Sequence, residues 1–137
     1  MHPQRRPIAP ATLEHEIARY VRDRPENRLP AFEGAPIFDE PLVGYANGDD
    51  PIFERFKTVV GNDHLTPREV LKRHWRQLGE RYGARPASVI SFVLPIARET
   101  RVSNRRETRL PSLRWNQTRW LGQQFVSTLS RHLIEFL

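Results

Sequence analysis

The longest nearly continuous apolar stretch of the chain is residues 87–96, Ala-Ser-Val-Ile-Ser-Phe-Val-Leu-Pro-Ile. Its β-branched and aromatic residues are interrupted only by Ser88 and Ser91, which are small enough to bury. The pattern predicts a central strand near 87–96 that is buried on both faces. Because such a strand needs layers above and below it, we expect helices on both sides and a second short strand near 42–46.

Apolar residues at helical spacing predict about four helices around this strand. The first helix begins at Ala11 or Thr12 and ends at Pro25, and the second begins at Asp50 and stops at Gly61. The last helix begins near Asn116. Its predicted apolar face comprises Trp120, Leu121, Phe125, Leu129, Leu133 and Phe136.

The third helix has the best-defined start in the chain. Thr66 and Glu69 have the spacing of a capping box, in which each side chain bonds to the backbone amide of the other residue. Pro67 suits the first helical position, and Gly83 follows the expected end of the helix. The sequence therefore predicts a reciprocal cap at Thr66.

The remaining segments are predicted to be connections. Residues 1–10 form a loose arm, residues 25–41 form an extended, proline-interrupted connection along a surface, and residues 97–115 form a long surface loop. Leu29, Phe32, Ile37 and Phe38 are expected to pin the second of these connections. We predict one α/β domain over residues 1–137, with a small sheet packed by helices. We expect this domain to be incomplete, because the last helix reaches Leu137 without a stop signal.

Composition excludes several chemistries. The chain has no cysteine, so disulfides, thiolate zinc sites, cysteine nucleophiles and thiolate-held iron-sulfur clusters cannot form within it. No apolar run approaches the roughly 18 residues of a membrane helix, so no membrane association is expected. The N-terminus lacks the apolar run of a secretory signal, and we expect a cytoplasmic protein.

Familiar catalytic motifs are also missing. There is no glycine-rich nucleotide loop, no nucleophile elbow and no His-Glu-x-x-His. The five histidines do not have metal-ligand spacing, and we interpret them as surface or cap-side residues. Asp49 and Asp50 are interpreted as cap residues in preference to metal ligands. The residues alone leave it open whether the protein is an enzyme.

The net charge of +6 is concentrated in one segment. Residues 98–119 contain seven arginines and two acids. Three interpretations stay open: contact with nucleic acid, with Trp115 and Trp120 available for stacking; contact with an anionic cofactor or protein; and a merely solvated basic loop. The candidate contact residues are Arg98, Arg101, Arg105, Arg106, Arg109, Arg114 and Arg119.

Three blocks of the sequence carry a family resemblance. They are Glu-Pro-Leu-Val-Gly-Tyr-Ala-Asn-Gly-Asp-Asp-Pro-Ile-Phe at 40–53, His-Leu-Thr-Pro-Arg-Glu-Val at 64–70 and Val-Ile-Ser-Phe-Val-Leu-Pro at 89–95. Together with the Leu-Gly-Gln-Gln-Phe run at 121–125, they resemble the N-terminal half of iron-sulfur proteins related to epoxyqueuosine reductase and the reductive dehalogenases. The resemblance covers roughly residues 38–137.

The resemblance implies an iron-sulfur oxidoreductase with two four-iron clusters and a corrinoid in the complete family architecture. This chain departs from the family at two points. It lacks the cysteine-rich cluster module, and Gln124 occupies the position of the family's proton-donating aspartate. The resemblance thus implies an N-terminal region without activity or cofactor of its own. Self-association, or pairing with a cysteine-bearing chain, is expected because the last helix ends on Phe136 and Leu137 and the central strand has too few partner strands. The alternative is a small basic module that binds RNA or another polyanion through its arginine-rich segment.

Overall fold

The computed structural model describes residues 8–79 and 88–137. These residues form five α-helices and two two-stranded sheets, so the predicted α/β class is confirmed. Contacts divide the chain into two compact units, one made of the residues up to Leu42 together with Val93–Leu137, the other of Val43–Phe92. The elements in chain order are α1 (Pro10–Asp23), β1 (Arg28–Leu29), β2 (Ala35–Pro36), β3 (Leu42–Asn47), α2 (Ile52–Val59), α3 (Pro67–Gln77), β4 (Ser88–Val93), α4 (Arg98–Arg105) and α5 (Leu113–Phe136).

The core of the first unit lies between α1 and α5. The predicted face of α1 is buried, and Ile17 is fully enclosed. On α5, Phe125 and Leu129 are fully enclosed as well, and the rings of Tyr20 and Phe125 lie 5.9 Å apart. The amphipathic spacing of α1 therefore predicted its buried side correctly. Its start was predicted one or two residues late, because Pro10 is the first helical residue.

The prediction for α5 was partly wrong. The helix begins after Ser112, whose hydroxyl accepts a hydrogen bond from the Trp115 amide at 3.1 Å, so Asn116 is not the cap. Its buried face runs through Thr118, Gly122 and Phe125, and Trp120 is 72% exposed on the other side. A small-residue face packs more closely than an aromatic one, and apolar spacing alone does not detect it.

The connection before Phe38 follows the surface as predicted, since Pro30, Ala31 and Glu33 are exposed, and two of its expected anchors reach the core. β1 pairs antiparallel with β2, and Leu29 and Ile37 are both fully buried. The side chain of buried Asn27 donates to the carbonyls of Val21 (2.8 Å) and Phe38 (3.2 Å) and accepts from the Phe38 amide at 3.0 Å. This side chain thus provides hydrogen-bond partners for both backbone groups of Phe38 and for the carbonyl of Val21.

Gly122 allows α5 to approach this segment closely. A Cβ atom at position 122 would lie 2.9 Å from Cζ of Phe38 and 3.4 Å from Cγ2 of Ile37. The first distance is shorter than van der Waals contact, so any larger residue would push the Phe38 ring or the helix away. The glycine is therefore required by packing, since its backbone is helical.

The second unit contains the other sheet, made of β3 and β4. A strand near 87–96 is confirmed, but its predicted burial on both faces is wrong, because Ser88, Ser91 and Val93 are exposed. β-Branched composition favours a strand, whereas burial depends on what covers the sheet. Within the described residues β4 pairs with β3 alone, so it is not a central strand.

In the second unit α3 starts as predicted, and α2 starts at Ile52, one residue later than predicted. The Thr66 hydroxyl accepts from the Glu69 amide at 3.3 Å, and the Glu69 carboxylate accepts from the Thr66 amide at 2.8 Å. At α2, the Asp50 carboxylate accepts from the Ile52 amide at 2.9 Å. α3 ends at Gln77, ahead of Gly79 with φ +72°; the predicted end at Gly83 lies outside the described residues.

We predict that Asn27→Ala lowers the free energy of unfolding by about 1–3 kcal/mol, because it leaves a buried amide and two carbonyls short of a partner. Urea denaturation followed by circular dichroism measures this loss. The matched control is Asn62→Ala at an exposed position, for which a change within about 0.5 kcal/mol is expected. Equal stabilities of the two variants would contradict the role assigned to Asn27.

Thr66→Ala should lower the free energy of unfolding by about 1 kcal/mol through loss of the cap.

The hydrogen bond from Lys57, joined by that from the Thr66 amide, lowers the pKa of Glu69 from 4.5 to about 2. Since ionised Glu69 is favoured in the folded state, its contribution is complete above pH 4.5 and disappears as the pH falls towards 2.

Denaturation midpoints of Thr66→Ala and wild type between pH 2 and pH 7 test this account. The exposed Thr108→Ala is the control and should behave as wild type. A Thr66→Ala midpoint equal to that of wild type at pH 7 would show that the cap does not stabilise α3.

Candidate anion-binding surface

The arginine-rich segment is largely helical, so the predicted surface loop is wrong. α4 spans Arg98–Arg105, and a short turn separates it from α5. The inward side of α4 is polar: Thr100 is fully buried, and the Ser103 hydroxyl lies 3.0 Å from that of Ser112. Because the packed face consists of threonine and serine, no apolar periodicity marked this helix in the sequence.

The helix collects three of the predicted arginines on one side. Arg98, Arg101 and Arg105 are spaced i, i+3 and i+7, which places them within about 60° around the helix axis. All three are exposed. The Arg101 Nε donates to the carbonyl of Ile96 at 3.0 Å, which anchors the guanidinium group through one nitrogen and leaves its two terminal nitrogens available.

Arg114 does not belong to this exposed group. Its Nε donates to the hydroxyl of Thr100 at 3.1 Å, and its guanidinium carbon lies 5.2 Å from the centre of the Phe32 ring. The side chain therefore joins α5 to α4 and to the turn before β2. Of the seven candidate contact residues, Arg114 is thus the one with a packing role.

We call the other six arginines, all of which are exposed, the arginine surface. Apart from the Arg101 bond, their side chains make no hydrogen bond or ion pair with any described residue. Six guanidinium groups without carboxylate partners produce a positive potential that attracts anions. The arginine surface comprises Arg98, Arg101, Arg105 and Arg106, with Arg109 in the turn and Arg119 on α5.

A second charged cluster, which no local pattern in the sequence indicates, lies between α1 and α5. The Glu16 carboxylate accepts two hydrogen bonds from Arg19 (2.6 and 3.0 Å) and lies 2.6 Å from Nε2 of His132. The Arg19 hydrogen bond, aided by His132, lowers the pKa of Glu16 although burial opposes it. The His132 ring also stacks on the ring of Tyr20, with 4.3 Å between the ring centres, so the prediction of a surface histidine was wrong.

The remaining candidate residues are dispersed. Asp49 forms an ion pair with Arg68. Asp50 accepts a hydrogen bond from the Ile52 amide at the start of α2, which agrees with its predicted cap role. No group of three histidine, cysteine, aspartate or glutamate side chains that could hold a metal ion occurs among residues 8–79 and 88–137. Gln124 is exposed on the side of α5 away from its buried face.

Two tryptophans were predicted to be available for stacking. Trp115 is half-buried, whereas Trp120 is 72% exposed and borders a shallow depression on the first unit. The other residues of this depression are Pro30, Ala31, Asn116, Gln117 and Leu121.

Comparisons with protein-family models, curated proteins and solved structures found no match to the chain. Among the described residues, no helix has the length and apolar character needed to span a membrane. The resemblance to epoxyqueuosine-reductase-like proteins thus stays a prediction.

Proposed function

We propose that this protein binds RNA or another polyanion through the arginine surface. The observation that carries the proposal is the shared exposed face of Arg98, Arg101 and Arg105, whose guanidinium groups lack carboxylate partners among the described residues. Such groups bind phosphates and release counterions, which supplies most of the affinity in sequence-independent recognition.

The charge distribution of the neighbouring helix supports the same function. Residues 108–134 contain no acidic residue and four arginines, so most of α5 presents no acid to an approaching polyanion, and the turn before it carries one exposed acid, Glu107. A purely solvated basic segment requires no order, yet α4 is held in place by the bonds of Thr100, Ser103 and Asn104 to α5 and its cap. The arginines therefore keep a fixed spacing, which lowers the entropy cost of binding.

Arg105→Ala/Arg106→Ala should weaken binding of a labelled RNA at low salt and reduce the slope of log K against log salt by about 2. Fluorescence anisotropy between 50 and 200 mM salt measures both quantities. Arg55→Ala/Lys72→Ala removes the same charge from the second unit and is the matched control, with a slope close to that of wild type. An unchanged affinity of the first variant at low salt would leave only a solvated basic helix.

A second function is favoured by the second unit. It has many exposed apolar side chains, among them Ile52 (47% exposed), Val60 (68%) and Val70 (51%). This surface supports the proposal that the chain is the N-terminal region of an epoxyqueuosine-reductase-like oxidoreductase, completed by self-association or by a cysteine-bearing chain in the cytoplasm.

The residues of this chain do not fit the cofactors of that family. A four-iron cluster needs thiolate ligands, and the chain has no cysteine. An amide at Gln124 cannot supply a proton as the family's aspartate does. Any iron-sulfur or corrinoid chemistry would thus depend on groups from a partner chain, and no step is assigned to residues of this one.

If this second function holds, the purified chain should self-associate or bind a hydrophobic dye at micromolar concentration. Sedimentation velocity and dye fluorescence test it, and Val60→Ser/Val70→Ser should reduce both signals. A compact, dye-silent monomer would instead favour the polyanion-binding module.

A further inference from the structure

We infer that Trp120 stacks on an unpaired base of a single-stranded nucleic acid, which makes the ligand of the arginine surface a single strand instead of a duplex. This inference depends on the proposed function and specifies its ligand class. Its starting point is the 72% exposure of the Trp120 side chain, on the side of α5 opposite the core.

The surroundings of Trp120 suit a base. Pro30, Ala31 and Leu121 give the depression an apolar wall beside the indole. Asn116 and Gln117 also line it, and neither amide bonds to another described residue, so both can donate to and accept from the edge of a base. An aromatic plane beside adaptable amides is how proteins hold an unstacked base.

Charge favours a nucleic acid over an apolar protein segment. None of the six residues lining the depression is acidic, and Arg119 precedes Trp120 on the same helix. From Ser112 to Trp120 the helix rises about 12 Å. A helically stacked strand rises about 3.4 Å along its axis per nucleotide, so three or four stacked nucleotides would span the distance from the arginine-bearing turn to the tryptophan.

A duplex does not meet the same conditions. Its bases are paired and stacked on each other, so the indole beside the depression has no free base plane to contact. A single strand offers both its phosphates and its unstacked bases to one protein face. We therefore expect two separable contributions to the binding affinity. The arginine surface contributes contacts with phosphates, and Trp120 contributes stacking on a base.

The test compares a 12-nucleotide oligo(U) RNA with an abasic deoxyribose-phosphate oligomer and an RNA duplex of the same length, by fluorescence anisotropy at fixed salt. Trp120→Ala should weaken oligo(U) binding between about 5-fold and 100-fold and leave binding of the abasic oligomer unchanged. Trp120→Phe should retain most of the oligo(U) affinity. Ile134→Ala, another exposed apolar residue of α5, is the matched control and should bind as wild type.

The outcomes separate this inference from the proposed function. If Trp120→Ala binds oligo(U) as wild type does while Arg105→Ala/Arg106→Ala weakens every ligand, the stacking role is wrong and the polyanion surface stands. If wild type binds none of the three ligands, both are wrong. If Trp120→Ala abolishes self-association and leaves oligo(U) binding intact, the depression is a protein contact and the inference fails.

Discussion

The hydrogen bonds around residues 37–39 are the constraint on which the first unit depends. On one side, the Asn27 side chain holds the backbone of Phe38. On the other, the Asp39 amide donates to the Pro95 carbonyl at 2.8 Å, and the Ala97 amide donates to the Ile37 carbonyl at 3.0 Å. A short, partly buried segment is thus bonded along both edges, and Gly122 lets α5 pack across it.

These bonds also determine where the arginine surface begins. Ala97 is fully buried and is the residue from which α4 starts, so the position of α4 follows from the segment that Asn27 holds. The inner side of α4 then bonds to α5 through hydroxyl and amide groups. Because the polar residues face inward, the arginines have only the outer side available, and their charge stays exposed to solvent and ligands.

The two units differ in how they are stabilised. The first has an apolar core, in which Ile17, Phe125 and Leu129 are fully enclosed. The second depends more on individual polar interactions, such as the cap at Thr66 and the ion pair between Lys57 and Glu69 at 2.7 Å. Such interactions define helix ends, whereas a buried core supplies most of the free energy of folding. Apolar residues left exposed in the second unit are the physical basis for proposing a partner.

The sequence by itself determined the features that depend on neighbouring residues. The capping box at Thr66, the Asp50 cap, the buried face of α1 and the existence of strands near 42–46 and 87–96 were all predictable, because capping and amphipathic spacing operate within a few residues. The concentration of arginine between 98 and 119 was equally visible in the sequence, and it was sufficient to indicate the candidate surface.

Only the tertiary structure decided how that surface is arranged. α4 was missed because its packed face is polar, and the packing role of Arg114 depends on Phe32, which is distant in the chain. Likewise, Glu16 and His132 are 116 residues apart, so no local pattern pairs them. Burial of β4 was predicted from composition and was wrong, because burial depends on which elements cover a strand. Contacts between residues that are far apart in the chain decide which arginines are exposed and that Trp120 lies outside the core. No local periodicity encodes such contacts.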